Sequence, residues 1–360
     1  MICRSSGVSA AAGAARRFAD GGCAAGRLRG LPSVGCIHVT MSLLVGAHVR
    51  FIKRLEQRRD ASLAYHLSAY LRMNGVYWGL TALALMHAAD ALDRSALIAF
   101  VDSCFSEQDG GYAPFPGHDA HMLSTLSAVQ VLAIVDALPT LGARRERIVA
   151  FVASLQNADG SFRGDRWGET DTRFLYCAVS TLAHLGALEH IDAARAATWV
   201  MQCANFDGGF GAAPGAESHA AQVFTCVGAL SILRALGRVD HDRLAWWLCE
   251  RQVPRGGLNG RPQKLEDVCY SWWVLSSLSM LGRLHWIDAH ALRTFILDAQ
   301  DPDGGIADRP GNVADVFHTL FGVAGLALLG EPGLAPVDPT YCMPVATIAR
   351  LGIARPFQQL

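Results

Sequence analysis

Two kinds of apolar stretch alternate along the chain. The first kind is almost entirely apolar and occupies residues 172–186, 220–236, 268–281 and 316–329. The second kind carries more charge and occupies residues 191–202, 243–252 and 289–300. Apolar residues at positions i, i+3, i+4 and i+7 indicate helices, and a helix that is apolar on every side is covered on every side. The pattern therefore predicts inner helices that alternate with outer helices.

A glycine-rich turn recurs between these stretches at a nearly constant interval. The turns end at Tyr112, Phe162, Phe210, Leu258 and Ile306. The interval is about 48 residues at each step, and a near-constant interval of this size indicates a repeat architecture. Residues 66–73, 78–91 and 94–107 add a degenerate repeat and an opening helix. The expected total is about six inner and six outer helices.

The fold class expected from these repeats is all-α, as a closed α/α barrel (toroid) of helical hairpins. Repeats that bury one continuous core form an open solenoid or a ring. The near-constant interval and the lack of an obvious polar capping repeat favour the ring, with a site at one mouth or in the hollow. We expect the barrel to occupy residues 41–345, after a leader of residues 1–40 and before a C-terminal tail of residues 346–360.

The composition of the chain fits a large buried core and excludes some functions. Of its 360 residues, 51% are hydrophobic and 18% are charged. No apolar run reaches the roughly 18 residues that a membrane span needs. A net charge of −1 without a basic cluster argues against nucleic-acid binding. The ten cysteines form no Cys-x-x-Cys pair, which favours a reducing, cytoplasmic setting.

The leader segment, residues 1–40, differs in composition from the remainder. It contains five arginines and one acidic residue, with many Ala, Gly and Ser residues. Such a segment resembles an organellar transit peptide, but we favour a disordered extension or a true start at Met41. Nothing in it carries chemistry.

The first position of each inner helix differs between repeats. Counting by the repeat interval gives Asp171, His219, Asp267 and Asp315. An acid at this position normally caps the helix by accepting free backbone N–H groups. Capping accounts for Asp171 and Asp315, whereas His219 needs another explanation.

The helix start that holds Asp267 also contains a candidate metal site. Two residues later stands Cys269, and in the first turn of a helix both side chains can reach one ion. His318 lies about one turn into the next inner helix. A carboxylate, a thiolate and an imidazole leave a fourth position open, as in a catalytic zinc site. From spacing alone, a helix cap, a core cysteine and a buried histidine remain alternatives.

These segments resemble the protein prenyltransferase β subunits. The motif Gly-Arg-x-x-Lys, then Asp-x-Cys-Tyr-Ser-aromatic-Trp, stands at residues 260–273, and Phe-His-Thr stands at 317–319. Within that family the motif sequences are most similar to those of the Rab geranylgeranyltransferase β subunit. Residues 168–174 and 282–288 also resemble that subtype. The similarity extends from about residue 60 to 345.

The resemblance implies a role for each matching polar residue. The zinc (Zn²⁺) ligands would be Asp267, Cys269 and His318. The prenyl diphosphate would be held by His219, Arg261, Lys264 and Tyr270. Asp308 matches a carboxylate associated with magnesium (Mg²⁺) at the diphosphate.

The resemblance also implies a lipid tunnel lined by aromatic residues. Residues at or near tunnel positions are Trp78, Tyr176, Trp273 and Phe317, with Asn74 and Leu123 towards its bottom. Asn74 departs from the small residue of the geranylgeranyl enzymes and would shorten the acceptable lipid. Leu123, rather than an aromatic residue, argues for a long tunnel.

The implied activity is transfer of a geranylgeranyl group from geranylgeranyl diphosphate to C-terminal cysteine thiolates of Rab-type small GTPases. The implied partners are an α subunit in a heterodimer and an escort protein that presents the GTPase. A farnesyl or type I geranylgeranyl subtype stays an alternative. A terpene cyclase is more remote because the chain lacks Asp-x-Asp-Asp and Asp-Asp-x-x-Asp. A non-catalytic helical-repeat scaffold is also more remote, because it does not require an acid, a thiol, an imidazole and cations at equivalent positions of neighbouring repeats.

Overall fold

The computed structural model describes residues 41–57 and 63–353. The α-helices, numbered in chain order, are α1 Val45–Gln57, α2 Leu63–Leu67, α3 Arg72–Leu85, α4 Arg94–Ser103, α5 Met122–Ile134, α6 Arg144–Ser154, α7 Thr172–Leu185, α8 Ala193–Gln202, α9 Ala220–Ile232, α10 His241–Cys249, α11 Cys269–Met280, α12 Ala289–Asp298, α13 Val316–Leu328 and α14 Val345–Arg350. Two short strands, β1 Val337–Asp338 and β2 Met343–Pro344, pair antiparallel.

Two of the predicted segments fall partly or wholly outside this description. The boundary between the two units of the chain lies between Met41 and Ser42, and every helix and strand given above belongs to the second unit. The predicted leader, residues 1–40, lies outside the described residues. The predicted tail, residues 346–360, begins within α14, where Ile348 is buried, and its last seven residues also lie outside them.

The inner helices form a closed ring. Each of α3, α5, α7, α9 and α11 packs against the next inner helix, and α13 packs back against α3. An outer helix covers each of them from the preceding position in the chain: α4 on α5, α6 on α7, α8 on α9, α10 on α11 and α12 on α13. This arrangement confirms the predicted closed α/α barrel.

The first helix completes the outer layer of the ring. Helix α1 packs on α3 and takes the sixth outer place. Its His48 is fully buried, and its Nδ1 accepts the backbone N–H of Gly305 at 2.8 Å. The other ring nitrogen therefore carries the proton and donates to Gln300 Oε1 at 3.0 Å. Helix α1 is thus fixed to the last glycine turn.

Each glycine turn is built to touch the next outer helix. Gly160 has a φ of +96°, a conformation that L side chains rarely adopt. A Cβ atom there would overlap the carbonyl oxygen of Arg195 on α8. Gly304, with a φ of +101°, meets the carbonyl oxygen of Ala47 on α1 in the same way. The glycines of the repeat therefore allow backbone-to-backbone contact between neighbouring repeats.

Two predicted helix bounds were wrong. The stretches 66–73 and 78–91 were expected to be separate, but α3 runs without a break from Arg72 to Leu85. Asn74 lies within this helix, and its side chain donates to Ser127 Oγ on α5 at 3.0 Å. The stretch 220–236 ends at Ile232, since Arg234 adopts a left-handed φ of +57°.

A C-terminal hairpin enters the barrel from the end where the inner helices finish. The backbone N–H of Ala335 donates to the carbonyl of Leu85, the last residue of α3, at 2.8 Å. The turn of the hairpin, residues 338–342, reaches deeper and contacts side chains of α3, α5 and α7. In the described part, none of the helices has the length and apolar character needed to cross a membrane.

Candidate metal centre

Two neighbouring inner helices bring the three predicted ligands together. Asp267 lies two residues before Cys269, the first residue of α11, and His318 is the third residue of α13. Their ligand atoms all lie within 4.8 Å of one another, and all three residues are buried. His318 Nε2 is 3.3 Å from Asp267 Oδ1. Within the described residues this is the single cluster of three such side chains.

The backbone at the start of α11 is held from both sides. Asp267 Oδ1 accepts the N–H of Cys269 at 2.8 Å, which brings the carboxylate and the thiol to the same side of the first turn. The N–H of Asp267 donates to Leu258 O, and the N–H of Val268 donates to Asp308 O at 2.7 Å. These bonds fix residues 267 and 269 before any ion binds.

A fourth residue orients the imidazole. His318 Nδ1 donates to Asp315 Oδ2 at 2.7 Å, and the backbone N–H of His318 donates to Asp315 Oδ1 at 2.8 Å. The carboxylate therefore holds the proton of Nδ1, and Nε2, which faces Asp267, is the ring nitrogen available to an ion. The sequence explained Asp315 as a cap alone, although its spacing of three residues from His318 was a signal for this second contact.

Burial dominates the electrostatics of the triad. It raises the pKa of the Cys269 thiol well above its ordinary value, against the hydrogen bond from His318. Burial would also raise the pKa of Asp267, but the hydrogen bond and charge of His318 and the N–H of Cys269 hold it below its usual range. One oxygen, one nitrogen and one sulfur donor at this spacing fit a zinc ion with a free coordination position.

A histidine and a tyrosine lie beside this cluster. His219 caps α9, and its Nδ1 accepts the N–H of Ala221 at 3.2 Å. Burial and the charge of Arg261 lower the pKa of His219 to about 4, so the ring is neutral with its proton on Nε2. This nitrogen lies 3.3 Å from the hydroxyl of Tyr270, the residue that follows Cys269.

The loop before α11 carries the two predicted cations, Arg261 and Lys264. A Cβ at Gly260 would overlap the Tyr270 hydroxyl, so the loop passes directly over that ring. The next residue, Arg261, forms an ion pair with Glu217, which the sequence did not reveal as its partner. Lys264 is exposed, and within the described residues its ammonium makes no hydrogen bond or ion pair.

Asp308 lies on the adjacent loop. Its carbonyl oxygen holds Val268, as described above, and its carboxylate accepts Asn312 Nδ2 at 2.8 Å. Arg309 Nη2 is 3.1 Å from the other carboxylate oxygen. The structure therefore connects Asp308 to the triad through backbone, with its carboxylate held by two neighbours.

Together with Phe224 and Phe321, the predicted aromatic residues form one continuous chain of ring contacts between the inner helices. Ring centroids are 5.0 Å apart for Trp78 and Phe317, 4.7 Å for Phe317 and Phe321, and 4.4 Å for Phe321 and Trp273. The chain continues from Trp273 to Phe224 at 5.0 Å and from Phe224 to Tyr176 at 5.1 Å. Phe317 also lies 5.0 Å from the ring of His318. An apolar wall therefore begins beside the candidate metal ligands.

Two members of this wall were missed from the sequence. Phe224 stands one repeat interval after Tyr176, and Phe321 stands one repeat interval after Trp273. The repeat therefore contained the signal for both. Of the two residues expected at the bottom of the tunnel, Asn74 is bonded to Ser127, and half-buried Leu123 lies one turn before Ser127 on α5.

Comparison with known families identifies similar chains. The family described as the prenyltransferase alpha-alpha toroid domain matches residues 43–343. The geranylgeranyl transferase type-2 subunit beta of Saccharomyces cerevisiae is 53% identical over 165 residues, which are 46% of this chain and 50% of that protein. The Candida albicans protein of the same name is 51% identical over 165 residues, covering 43% and 48%. The chain thus spans about half the length of the curated relatives it matches.

A solved structure shares the fold. The Candida albicans protein geranylgeranyltransferase-I complexed with GGPP superposes with a TM-score of 0.78. The match covers 87% of this chain and 100% of that chain, at 21% sequence identity. An identity this low indicates a common fold and leaves the reaction to be argued from the site.

Proposed function

The chain belongs to the prenyltransferase alpha-alpha toroid family, and on that premise we propose that it is the catalytic β subunit of a zinc-dependent protein geranylgeranyltransferase. The proposed reaction joins the geranylgeranyl group of geranylgeranyl diphosphate to C-terminal cysteine thiolates of Rab-type small GTPases. The observation that carries the proposal is the buried triad of Asp267, Cys269 and His318 at the head of an aromatic wall. The reaction requires a site that binds the acceptor sulfur next to an apolar surface that binds the isoprenoid.

The triad is proposed to position the acceptor sulfur. A free thiol has a pKa of about 8.5 and is only slightly ionised at neutral pH. When bound at these three ligands, zinc supplies a Lewis-acid centre that keeps the substrate's sulfur deprotonated and in place. Asp267, Cys269 and His318 would hold the ion, and Asp315 holds the His318 ring. Cys269 serves as a ligand, so it is not the alkylated sulfur.

The neighbouring polar groups are proposed to hold the diphosphate. Negative charge grows on this group as the allylic carbon leaves it, and donors already in place stabilise that charge. His219 Nε2–H and the Tyr270 hydroxyl are adjacent donors, and Arg261 adds a planar guanidinium from the loop above. Exposed Lys264 would reach the same group as a point charge. Asp308 would hold the magnesium that accompanies the diphosphate.

The aromatic chain is proposed to bind the isoprenoid. Trp78, Phe317, Trp273 and Tyr176 present half-buried or buried rings on four different inner helices. Apolar surface removed from water stabilises the complex by about 25 cal/mol per Å². The wall begins at the His318 ring, so the reacting end of the isoprenoid would lie at the triad and its tail deeper in the barrel.

The partners proposed from the relatives are a prenyltransferase α subunit and an escort protein that presents the GTPase, in the cytoplasm. The half-buried outer helices carry exposed apolar residues, such as Trp246 on α10, that suit a heterodimer. The names of the relatives support the β-subunit assignment.

The decisive experiment is a transfer assay with the full chain and its matching α subunit. Farnesyl and geranylgeranyl diphosphate are compared as donors to an escorted GTPase that ends in two cysteines. We expect transfer of the longer isoprenoid at higher kcat/KM, and no transfer to a GTPase whose terminal cysteines are replaced by serine. Equal or better use of farnesyl diphosphate would assign the chain to a farnesyl subtype, for which Asn74 is the supporting residue.

A further inference from the structure

The loop of residues 260–265 has a base that is fixed by backbone bonds. On one side, the N–H of the candidate zinc ligand Asp267 donates to Leu258 O at 3.0 Å. On the other side, the backbone N–H of Asn259 donates to Arg251 O, just beyond the end of α10, at 2.9 Å. The base of the loop therefore keeps its place without help from the side chains of the loop.

The side chain of Asn259 reaches from this base across the loop. It is 5% exposed, and its Nδ2 donates to Lys264 O at 3.0 Å. The bond fixes the backbone of Lys264, whose own ammonium is exposed. The residues one repeat interval before and after Asn259 are Gly211 and Ala307, and neither has a side chain that can donate such a bond. The bond is thus absent from the two neighbouring repeats.

The turn inside the loop holds one residue in a strained conformation. The N–H of Lys264 lies 3.4 Å from Arg261 O, and Gln263 has a φ of +65°. A proline followed by a left-handed residue is characteristic of a type II turn, which normally has glycine at the left-handed position. The equivalent residues of the neighbouring repeats are Gly215 and Gly311, with φ of +80° and +86°. A glutamine keeps this conformation only where its surroundings impose it.

This turn carries both predicted cations of the diphosphate site. Arg261 is its first residue and Lys264 is its last. The start of the turn is fixed by Gly260, whose carbonyl accepts the first N–H of α9 at 2.8 Å and which packs against the Tyr270 hydroxyl. The end of the turn is fixed by the amide of Asn259. The neighbouring loops, which lack this pair of cations, have glycine in the turn and no such amide.

We propose that Asn259 is a positioning residue for the diphosphate site, which holds the turn so that the Lys264 ammonium reaches the leaving group. This inference rests on the proposed function, because the turn needs a fixed geometry only if its cations meet a ligand. A lysine presents a point charge at the end of a flexible stem, so the place of its backbone decides where that charge can act. Without the amide the turn relaxes, and the ammonium no longer lies in place where negative charge grows.

The test compares the wild type with Asn259→Ala, each as the full chain with its α subunit. We expect kcat/KM for geranylgeranyl diphosphate to fall about five- to tenfold, the effect of losing one hydrogen bond that orients a charged group. The KM for the GTPase and the zinc content should keep their wild-type values, because the backbone bonds at the base remain. Asn259→Leu keeps the branched shape of the amide without its donor. It should show the same loss, and it replaces the alanine variant if that variant does not fold.

A double-mutant cycle with Lys264→Ala separates positioning from a merely structural role. If Asn259 acts through Lys264, its replacement should change kcat/KM less than about twofold once the ammonium is gone. The matched control is Asn157→Ala, at a half-buried asparagine that donates to Ser161 Oγ at 2.9 Å in a turn without a predicted diphosphate ligand. The control should keep the wild-type kcat/KM. An equal loss in both backgrounds, an equal loss in the control, or no loss in Asn259→Ala would overturn the proposal.

Failure of this inference and failure of the proposed function give different results. If the wild-type complex transfers no prenyl group, the proposed function fails at that step. Equilibrium binding of geranylgeranyl diphosphate and of uncharged geranylgeraniol, followed by quenching of tryptophan fluorescence, then tests Asn259 alone. Weaker binding of the diphosphate to Asn259→Ala, with unchanged binding of the alcohol, supports the positioning role. Any other pattern overturns it, including equal weakening for both ligands or no binding of the diphosphate to the wild type.

Discussion

At the residue scale, equivalent positions share one geometry and differ in what the side chain does next. Asp171, His219 and Asp315 each cap an inner helix through a side-chain acceptor. The Asp171 carboxylate then pairs with Arg173, whereas the Asp315 carboxylate holds the His318 ring. Asp267 makes the same local bond to the second residue beyond it but faces the Cys269 thiol and His318. Replacing these residues one at a time therefore shows whether each side chain only caps its helix or also takes part in the proposed chemistry.

Replacing the thiol tests the ligand set. We expect Cys269→Ala to lose bound zinc and prenyl transfer together, because two protein donors hold the ion far less tightly than three. Zinc content measured by atomic emission on the purified complex is the readout. Cys249→Ala, at a half-buried cysteine on α10, should retain both. Full zinc content in the Cys269→Ala variant would remove this residue from the proposed site.

Removing the carboxylate behind His318 tests its orientation. We expect Asp315→Ala to weaken zinc binding by about 10- to 100-fold, as loss of a partner to a metal-binding histidine does elsewhere. Asp171→Ala is the matched control, since it loses an equivalent cap worth about 1 kcal/mol and contacts no candidate ligand. Zinc affinities are compared by competition with a chromophoric chelator. Equal weakening in the two variants would show that Asp315 acts only as a cap.

At the element scale, the glycine turn is what makes one repeat fit the next. Its positive-φ glycine permits the contact between the turn and the outer helix that follows, as for Gly160 against Arg195. Two separate requirements meet at this position: a left-handed backbone and the space for a close approach. Another glycine, Gly168, has a similar φ of +100° but nothing within 4 Å of an added Cβ.

This pair of glycines separates backbone strain from steric overlap. We expect Gly168→Ala to lower the free energy of unfolding by about 1 kcal/mol, the cost of a left-handed alanine. Gly160→Ala adds displacement of α8 and should cost about 3 kcal/mol or more. Urea denaturation of the two variants measures the difference. Equal losses would mean that the turn is not packed as tightly as the backbone contact indicates.

Much of the element order could be predicted because the inner helices obey two independent rules. Their apolar residues follow the helical period, and their spacing follows the repeat interval, so the ring and its closure were both expected. The hairpin at 337–344 obeys neither rule. Its place depends on bonds from Tyr77 and Gln130 to carbonyl groups that lie 265 and 211 residues further along the chain, and carbonyl groups leave no mark in a sequence.

The candidate site was predictable to a similar degree and for similar reasons. The ligands could be placed because Asp267 and Cys269 begin one inner helix and His318 lies in the first turn of the next. The partner of Arg261 could not, since Glu217 lies on the loop of the preceding repeat, 44 residues earlier. Ion pairs between loops depend on the loop path rather than on the period.

At the scale of the whole molecule, buried histidines make stability depend on pH. His184 lies on α7 against the hairpin, with Nδ1 donating to Ser180 O at 2.6 Å and its ring 5.0 Å from that of Tyr341. Burial lowers its pKa from 6.5 to about 4. The neutral form is therefore favoured in the folded chain, and a proton binds more readily to the unfolded chain.

We expect the free energy of unfolding to fall as the pH decreases from about 6.5 to about 4, with His184 contributing up to about 3 kcal/mol. Its contribution is fully present above pH 6.5 and fully lost below the folded pKa. Denaturant titrations at several pH values measure the slope for the wild type and for His184→Gln, which cannot take up the proton. The variant should show a shallower slope, and an identical slope would exclude His184 as a source.

The contact of α1 with the last glycine turn has a consequence for synthesis of the chain. His48 and its partner Gly305 are 257 residues apart, so the first helix described here meets its partner only after the last repeat has been made. At a synthesis rate of about 5–20 residues per second, the delay is on the order of 10–50 s. During that time the edge of α3 that packs against α13 in the folded chain remains in water on the ribosome. We therefore expect chaperones to shield this apolar edge until the circle can close.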